Sequence, residues 1–193
     1  MVHLSKLGAE LSSINMIEVE QKYRISDPAL IRRKLSQLGA KRLRSGREHN
    51  ELFDANGHLK KQKHFLRLRR FGEKEAYLTL KGPRLKGRYK RRLEIETPVD
   101  YERTKLILKF LNFKVIEYYG KKREEYKLKS CLICLDYIED CGWFLEIEGF
   151  SRNISKVSKL FGLRSEDKEH RSYRKLIKEK SSQLKQELSS VLS

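Results

Sequence analysis

The sequence predicts an α+β fold in which mostly antiparallel strands form the body and helices pack outside them. Three observations lead to that class. Charged and apolar residues alternate with period two in one segment after another, and glycine- or asparagine-bearing turns separate those segments. An acidic strand, a capped amphipathic helix and a left-handed stop then recur in that order three times.

Residues 1–15 show no strong periodicity and are expected to form a flexible N-terminal extension, with Met16 a candidate start. From Ile17 to Ile25 the alternation predicts a strand with Glu18, Glu20 and Lys22 on one face and Ile17, Val19 and Tyr23 on the other. Asp27-Pro28 reads as N-cap and first helical position, Leu30, Ile31, Leu35 and Leu38 form the apolar stripe, and Gly39 is the stop. Ala55-Asn56-Gly57 separates Leu52-Phe53-Asp54 from a strand at Phe65 to Arg70, and Phe71-Gly72-Glu73 turns into Ala76 to Lys81. Gly82-Pro83 to Gly87 leads into Tyr89 to Thr97. With Arg84, Lys86 and Arg88 between its glycines, this loop reads either as a mobile cationic flap or as an ordinary hairpin tip. Asp100 then precedes a helix with Leu106, Ile107, Phe110 and Leu111 as its stripe and Asn112 as its stop. After Glu148, Ser151 is the expected cap of a helix bearing Ile154, Val157, Leu160 and Phe161 and ending at Gly162. From Ser165 onward the chain reads as helix.

A chain of 193 residues suffices for one core. The expected domain covers residues 16–180, and 181–193 form a helical tail that frays. With 44 Lys and Arg against 26 Asp and Glu, the formal net charge of +18 attracts anions: nucleic acid, acidic lipid or phosphorylated metabolites. The basic residues are spread through Lys41 to Arg47, Lys60 to Arg70, Arg84 to Arg92 and Arg164 to Lys185, unlike the contiguous block of a nucleic-acid arm. No apolar run approaches the roughly 18 residues of a membrane span, and the first residues lack a signal-peptide core, so a soluble cytoplasmic protein is expected. Cys131, Cys134 and Cys141 are an odd set, which argues against a disulfide framework. The first two have zinc-type spacing, but no second pair exists and an odd separation sends them to opposite faces of a strand.

The chemistry lies in the charged strands. Leu93-Glu94-Ile95-Glu96 and Phe144-Leu145-Glu146-Ile147-Glu148 repeat the Glu18-Val19-Glu20 pattern, so each pair aims its carboxylates the same way. Leu66-Arg67-Leu68-Arg69, Leu78-Thr79-Leu80-Lys81, Arg92 and Lys121-Lys122-Arg123 carry cations at the same period. Ordinary cross-strand ion pairs account for any one such strand. Three acidic pairs together crowd like charges, which divalent cations and phosphate would relieve. Hard carboxylate oxygens favour Mg²⁺ or Mn²⁺, and Arg and Lys grip phosphate oxygens, as phosphoryl or nucleotidyl transfer requires. There is no Walker motif, and His49, His58, His64 and His170, set among polar residues in expected loops or helix ends, have no evident catalytic partner.

These segments, in this order, resemble the CYTH superfamily of triphosphate tunnel metalloenzymes, and within it the class IV adenylate cyclase and thiamine triphosphatase-like group. The similarity runs from about Met16 to Ile177. It rests on Glu18-x-Glu20-x-Lys22, Arg67-x-Arg69, Leu78-Thr-x-Lys-Gly-Pro83, Arg92 with Glu94 and Glu96, Lys121 and Arg123, Cys134-Leu135-Asp136, and Glu146 with Glu148. The resemblance implies a closed eight-stranded antiparallel β-tunnel, or barrel, with helices packed outside. It implies Glu18, Glu20 and Glu148 as main ligands of Mg²⁺ or Mn²⁺, supported by Glu94, Glu96 and Glu146. Lys22, Arg67, Arg69, Lys81, Arg92, Lys121 and Arg123 would bind triphosphate, and Lys22, Arg69 and Asp136 are the candidate catalytic residues. The element around Ser172 and Tyr173 resembles the family's closing segment. The implied substrate is ATP, cyclised to cyclic AMP and pyrophosphate, or inorganic or thiamine triphosphate, which would be hydrolysed; a homodimer is among the expected states. A non-catalytic polyanion or RNA-binding module is the alternative from another class, although no strand carries the paired aromatics of an RNA-recognition sheet.

Overall fold

The computed structural model describes residues 16–191. The expected N-terminal extension, residues 1–15, falls outside that range, as do the last two residues of the expected tail. Eight strands, β1 (Ile17–Ile25), β2 (Lys41–Asp54), β3 (Phe65–Phe71), β4 (Glu75–Leu85), β5 (Lys90–Pro98), β6 (Lys114–Leu128), β7 (Cys131–Ile138) and β8 (Gly142–Glu148), close into a barrel ordered β1-β5-β4-β3-β2-β6-β7-β8. The helices are α1 (Pro28–Gln37), the single turn α2 (His58–Lys61), α3 (Tyr101–Phe110), α4 (Ser151–Leu160) and α5 (Tyr173–Val191). The α+β barrel expected from the sequence is the one observed. Each strand of the closed barrel has one face inward and one outward.

Two compact units share the chain, and β1, β2 and β6 run through both. The first comprises β1 as far as Val19 together with Asn50–Tyr118. Here β3, β4 and β5 form an antiparallel meander in which Arg67 faces Thr79, Thr79 faces Glu96 and Lys81 faces Glu94. Residues on the opposite face, Leu66, Leu68 and Leu78, pack with Phe53, Leu108, Val99, Tyr101 and Phe113 beneath α3. Asp100 caps α3 by accepting the Arg103 amide at 2.8 Å, as its position predicts. Gly82-Pro83 makes no loop. β4 continues to Leu85 through a bulge between Lys81 and Arg84, and Arg84 and Leu85 face Arg92 and Arg91, so the basic segment is a paired hairpin end.

The second unit comprises Glu20–His49 and the chain from Tyr119 onward. β6, β7, β8 and β1 are consecutive antiparallel neighbours, with Arg123 facing Asp136, Cys134 facing Glu146, and Glu20 facing Glu148. Asp27 caps α1 through the Leu30 amide at 2.9 Å, and Gly39 leaves the helix at φ +68°, both as expected. The outward residues Leu145 and Ile147 of β8 are fully buried, as are Ile154 and Val157 of α4, which packs on β7 and β8. Tyr23 joins the layers by donating to Ser158 at 2.9 Å.

Four further expectations are corrected. The α3 stripe of Leu106, Ile107, Phe110 and Leu111 is exposed, because the packed face is the one bearing Tyr101 and Leu108. Ser151 does not cap α4. The N-cap position is Phe150, which follows Gly149 at φ +154°, where a Cβ would meet the Cys131 Sγ at 3.1 Å. Helix does not begin at Ser165: residues 163–172 form an irregular segment that pairs with Lys22 to Arg24 at the C-terminal end of β1. Arg24 N donates to Asp167 O at 2.7 Å, Glu169 N donates to Lys22 O at 2.9 Å, and Lys168 bridges Tyr23. His49 sits within β2, half-buried, and not in a loop.

Glu169 fastens that segment, since its carboxylate accepts from Arg171 and from Arg24. Burial alone would raise its pKa, but the Arg171 hydrogen bonds and the Arg171 and Arg24 charges prevail and bring it down to about 2. A carboxylate depressed on folding adds stability that is present above its unfolded value of 4.5 and is lost as pH falls toward 2. Glu169→Gln should therefore lower Tm at pH 7 while matching the wild type near pH 2, a difference that thermal melts across the range would record.

Candidate active site

β1 brings Glu18, Glu20 and Lys22 onto one face, because side chains two apart on a strand point the same way. Its other face is taken by Tyr23 beneath α4, so the charged face is the barrel's inner one. Glu148 stands opposite Glu20 across the β1–β8 ladder. One carboxylate oxygen from each of Glu18, Glu20 and Glu148 lies within 4.8 Å of the others. Three hard anionic donors so close repel one another, and that repulsion is what a small divalent cation removes. The donor set suits Mg²⁺ or Mn²⁺. The thiol of Cys134 points at Glu148 at 4.0 Å, and burial holds that thiol well above its ordinary pKa, so it stays a neutral neighbour.

In the first unit the expected ligands interleave. Lys81 Nζ bridges Glu94 at 2.7 Å and Glu18 at 3.0 Å. Arg67 reaches Glu94 at 3.5 Å and Glu96 at 3.4 Å, while Arg69 holds the second oxygen of Glu96 at 2.6 Å. Thr79 donates to Glu96 at 2.6 Å from the middle strand. Burial works against the Glu94 anion, yet Lys81, a hydrogen bond with Glu18 and Arg67 outweigh it and keep the carboxyl below the usual range. Arg92 is buried, with its guanidinium 5.5 Å from the Phe65 ring.

In the second unit the network is deeper. Asp136, fully buried, accepts Arg123 Nε and Nη2 at 2.7 Å each, Lys121 Nζ at 3.1 Å and the Tyr173 hydroxyl at 2.7 Å. Arg123 also reaches Glu146 at 2.6 Å, and Lys121 lies 3.4 Å from Glu48. Burial disfavours both cations. The carboxylates around them win, and Lys121 and Arg123 are held charged with pKa values above their ordinary ones. Glu146 is pushed up by burial and by the Glu20 charge, but Arg123, Lys121 and Lys22 bring it below the usual carboxylate value. Lys22 Nζ stands 4.0 Å from Glu146 and 3.8 Å from the centre of the Tyr173 ring.

The six glutamates singled out in the sequence thus divide. Glu18, Glu20 and Glu148 gather with one another, whereas Glu94, Glu96 and Glu146 lie against cations. Sequence reasoning passed over Glu48, which is fully buried beside Lys121, and gave no place in the site to Tyr173. Glu48 had a signal: Arg44, Gly46, Glu48 and Asn50 are an alternating polar series on β2.

The CYTH domain model matches residues 16–173, and the chain belongs to the CYTH family. A Methanocaldococcus jannaschii protein named "Putative adenylate cyclase" is 31% identical over 147 residues, which cover 75% of this chain and 83% of that one. A solved protein of Pyrococcus horikoshii superposes with a TM-score of 0.71 at 30% identity, over 82% of this chain and 98% of its own. A Hippeastrum structure, described as an adenylyl cyclase candidate with dominant triphosphatase activity, shares the fold with a TM-score of 0.64 at 15% identity, covering 84% of this chain and 95% of that one.

The Asp136 contacts make a stability prediction. Asp136→Asn keeps the shape but leaves Lys121 and Arg123 buried with one anion fewer, at a cost of about 3 kcal/mol by analogy with broken buried pairs. Urea unfolding should show a lower midpoint with the slope unchanged.

Proposed function

We propose that the protein is a divalent-metal-dependent enzyme acting on a triphosphate substrate, with cyclisation of ATP to cyclic AMP and pyrophosphate as the first reading. The observation that carries it is the gathering of Glu18, Glu20 and Glu148 on β1 and β8, with Lys22 on β1, Lys81 paired to Glu18 and Arg123 paired to Glu146 of β8. Those three carboxylates would hold Mg²⁺ or Mn²⁺, which when bound supplies Lewis-acid stabilisation of charge on phosphoryl oxygens. Arg67, Arg69, Lys81 and Arg92 would take phosphate oxygens, the guanidinium groups by paired N–H donors and Lys81 as a point charge. Lys22, Lys121 and Arg123 would complete the cationic lining. In this reading Asp136 is an anchor and not a proton acceptor, because four donors already occupy its two oxygens. Lys22 and Arg69 would stabilise the charge that develops on the phosphate chain.

Hydrolysis of inorganic or thiamine triphosphate is the second reading, favoured by the triphosphatase activity described for the Hippeastrum neighbour. The two differ in what must be held in line. Cyclisation needs the ribose 3′-hydroxyl against the α-phosphorus, and hydrolysis needs water at a terminal phosphorus.

Incubation with ATP, inorganic triphosphate and thiamine triphosphate in Mg²⁺ or Mn²⁺ should give product from at least one. Cyclic AMP with pyrophosphate identifies the cyclase, and orthophosphate identifies the hydrolase. No product anywhere, with binding that falls steeply with salt, would replace both by a polyanion-binding module. Glu20→Gln should lower turnover by about two orders of magnitude or more, as loss of a hard anionic ligand implies, and leave the circular dichroism spectrum unchanged. Undiminished turnover would remove Glu20 from the metal site.

A further inference from the structure

We infer that Tyr173 is a positioning residue that holds the ammonium of Lys22 through its ring and the carboxylate of Asp136 through its hydroxyl, so that α5 sets the anion affinity of the barrel. This rests on the triphosphate reading of the site.

The delivery of Tyr173 is built into the chain. Residues 167–169 are hydrogen-bonded to β1 at Lys22 and Arg24, the residues on either side of Tyr23. Tyr173 follows four residues after Glu169, as the first residue of α5. Its ring packs edge-on against Phe144 at 5.4 Å and shares a buried cluster with Ile138 and Leu176, which fixes its plane. Lys22 Nζ lies 3.8 Å from the ring centre and Lys121 Nζ lies 5.0 Å from it. Those are cation–π distances in a desolvated setting, where the attraction is strongest.

The arrangement solves a specific problem. Lys22 is 4% exposed, and its ammonium is 4.0 Å from Glu146, too far for a strong hydrogen bond. Arg123 lies closer to Glu146, at 2.6 Å. An aromatic face attracts a cation without itself accepting an N–H group, so the ring orients the ammonium without adding an anion beside it. A carboxylate in the same place would compete with the substrate. The hydroxyl does a second job: burial and the Asp136 charge hold it well above the ordinary phenol pKa, so it remains a donor and joins Lys121 and Arg123 on Asp136 Oδ2.

The two roles separate by substitution. Tyr173→Phe keeps the ring, and Tyr173→Met keeps apolar bulk without it. Calorimetric titration with tripolyphosphate and Mg²⁺ should show Phe within about twofold of wild type and Met about tenfold weaker. In a Lys22→Met background the Tyr173→Met change should cost much less than in the wild type, since only the more distant Lys121, 5.0 Å from the ring, still faces it. A merely structural tyrosine would give the same loss in both backgrounds, and that result overturns the inference. A readout independent of ligand is the Lys22 ε-methylene resonance, expected upfield from ring current in the wild type and in Tyr173→Phe. Its absence there also overturns the inference, even if Tyr173→Met fails to fold. A wild type that shows the shifted resonance but binds no tripolyphosphate keeps the pairing and defeats the triphosphate reading instead.

Discussion

Every ion inside a closed barrel must be answered by another, and Asp136 is where that requirement is most severe. Water does not reach it, and its carboxylate accepts from two buried cations, Lys121 and Arg123. The contact depends on register, because Arg123 and Asp136 are directly opposed on β6 and β7. A slip of one residue would turn both outward and bury Lys122 and Tyr137 in their place. The ion pairs thereby act as a register lock, one that hydrophobic alternation alone could not supply on strands with both faces covered. The same logic repeats at Lys81 and Glu94, which face one another across β4 and β5.

One sequence pattern yields two electrostatic states. Glu94-x-Glu96 and Glu146 are satisfied by nearby cations, so they serve as counterions that keep Lys81, Arg67, Arg69 and Arg123 in place. Glu20 and Glu148 meet other carboxylates, and Glu18 belongs to both groups, since it accepts from Lys81 while lying in the carboxylate cluster. In the proposed function Glu18 is then the point of exchange. A cation bound among Glu18, Glu20 and Glu148 weakens the hold of Glu18 on Lys81, and Lys81 becomes available to a phosphate oxygen. Metal and substrate would favour each other's binding through that one carboxylate.

The legible parts of this fold were those in which a local signal has a single interpretation. Asp27-Pro28 and Asp100 cap helices wherever they stand before an apolar stripe, and Glu18-x-Glu20-x-Lys22 has only one face to share. β2 was legible only at its end, because Lys41 to Asn50 is largely polar on both faces: Arg44, Glu48 and Asn50 alternate with Ser45, Arg47 and His49. A period-two reading needs an apolar side, and the outward residues Leu43, Ser45 and Arg47 are exposed. α3 misled for the opposite reason. Leu106, Ile107, Phe110 and Leu111 have good helical spacing, yet the packed side carries Tyr101, Lys105 and Leu108, with Lys105 reaching Glu51 at 2.7 Å. Spacing alone does not say which of two usable faces a sheet will take. Tyr173 was placed in a closing element but given no contact in the site, because the sequence gives no sign that a ring at a helix start lies under a lysine 151 positions earlier.

The net charge of +18 takes on a different meaning once the networks are separated from the rest. Lys22, Arg67, Arg69, Lys81, Arg92, Lys121 and Arg123 are matched by Glu18, Glu20, Glu48, Glu94, Glu96, Asp136, Glu146 and Glu148, so the site residues contribute slightly negative charge on their own. The positive excess is carried by exposed residues such as Lys86, Arg88, Lys122 and Arg152. Exposed charge acts at a distance and is screened over a Debye length of about 8 Å at physiological salt, whereas buried pairs are screened far less. Attraction of an anion toward the protein and its grip inside are therefore separate properties, held by separate residues. The first governs association rate and salt dependence, and the second governs residence. A carboxylate-rich lining would repel a phosphate chain arriving alone, so the cation bound at Glu18, Glu20 and Glu148 would be needed for binding as much as for chemistry.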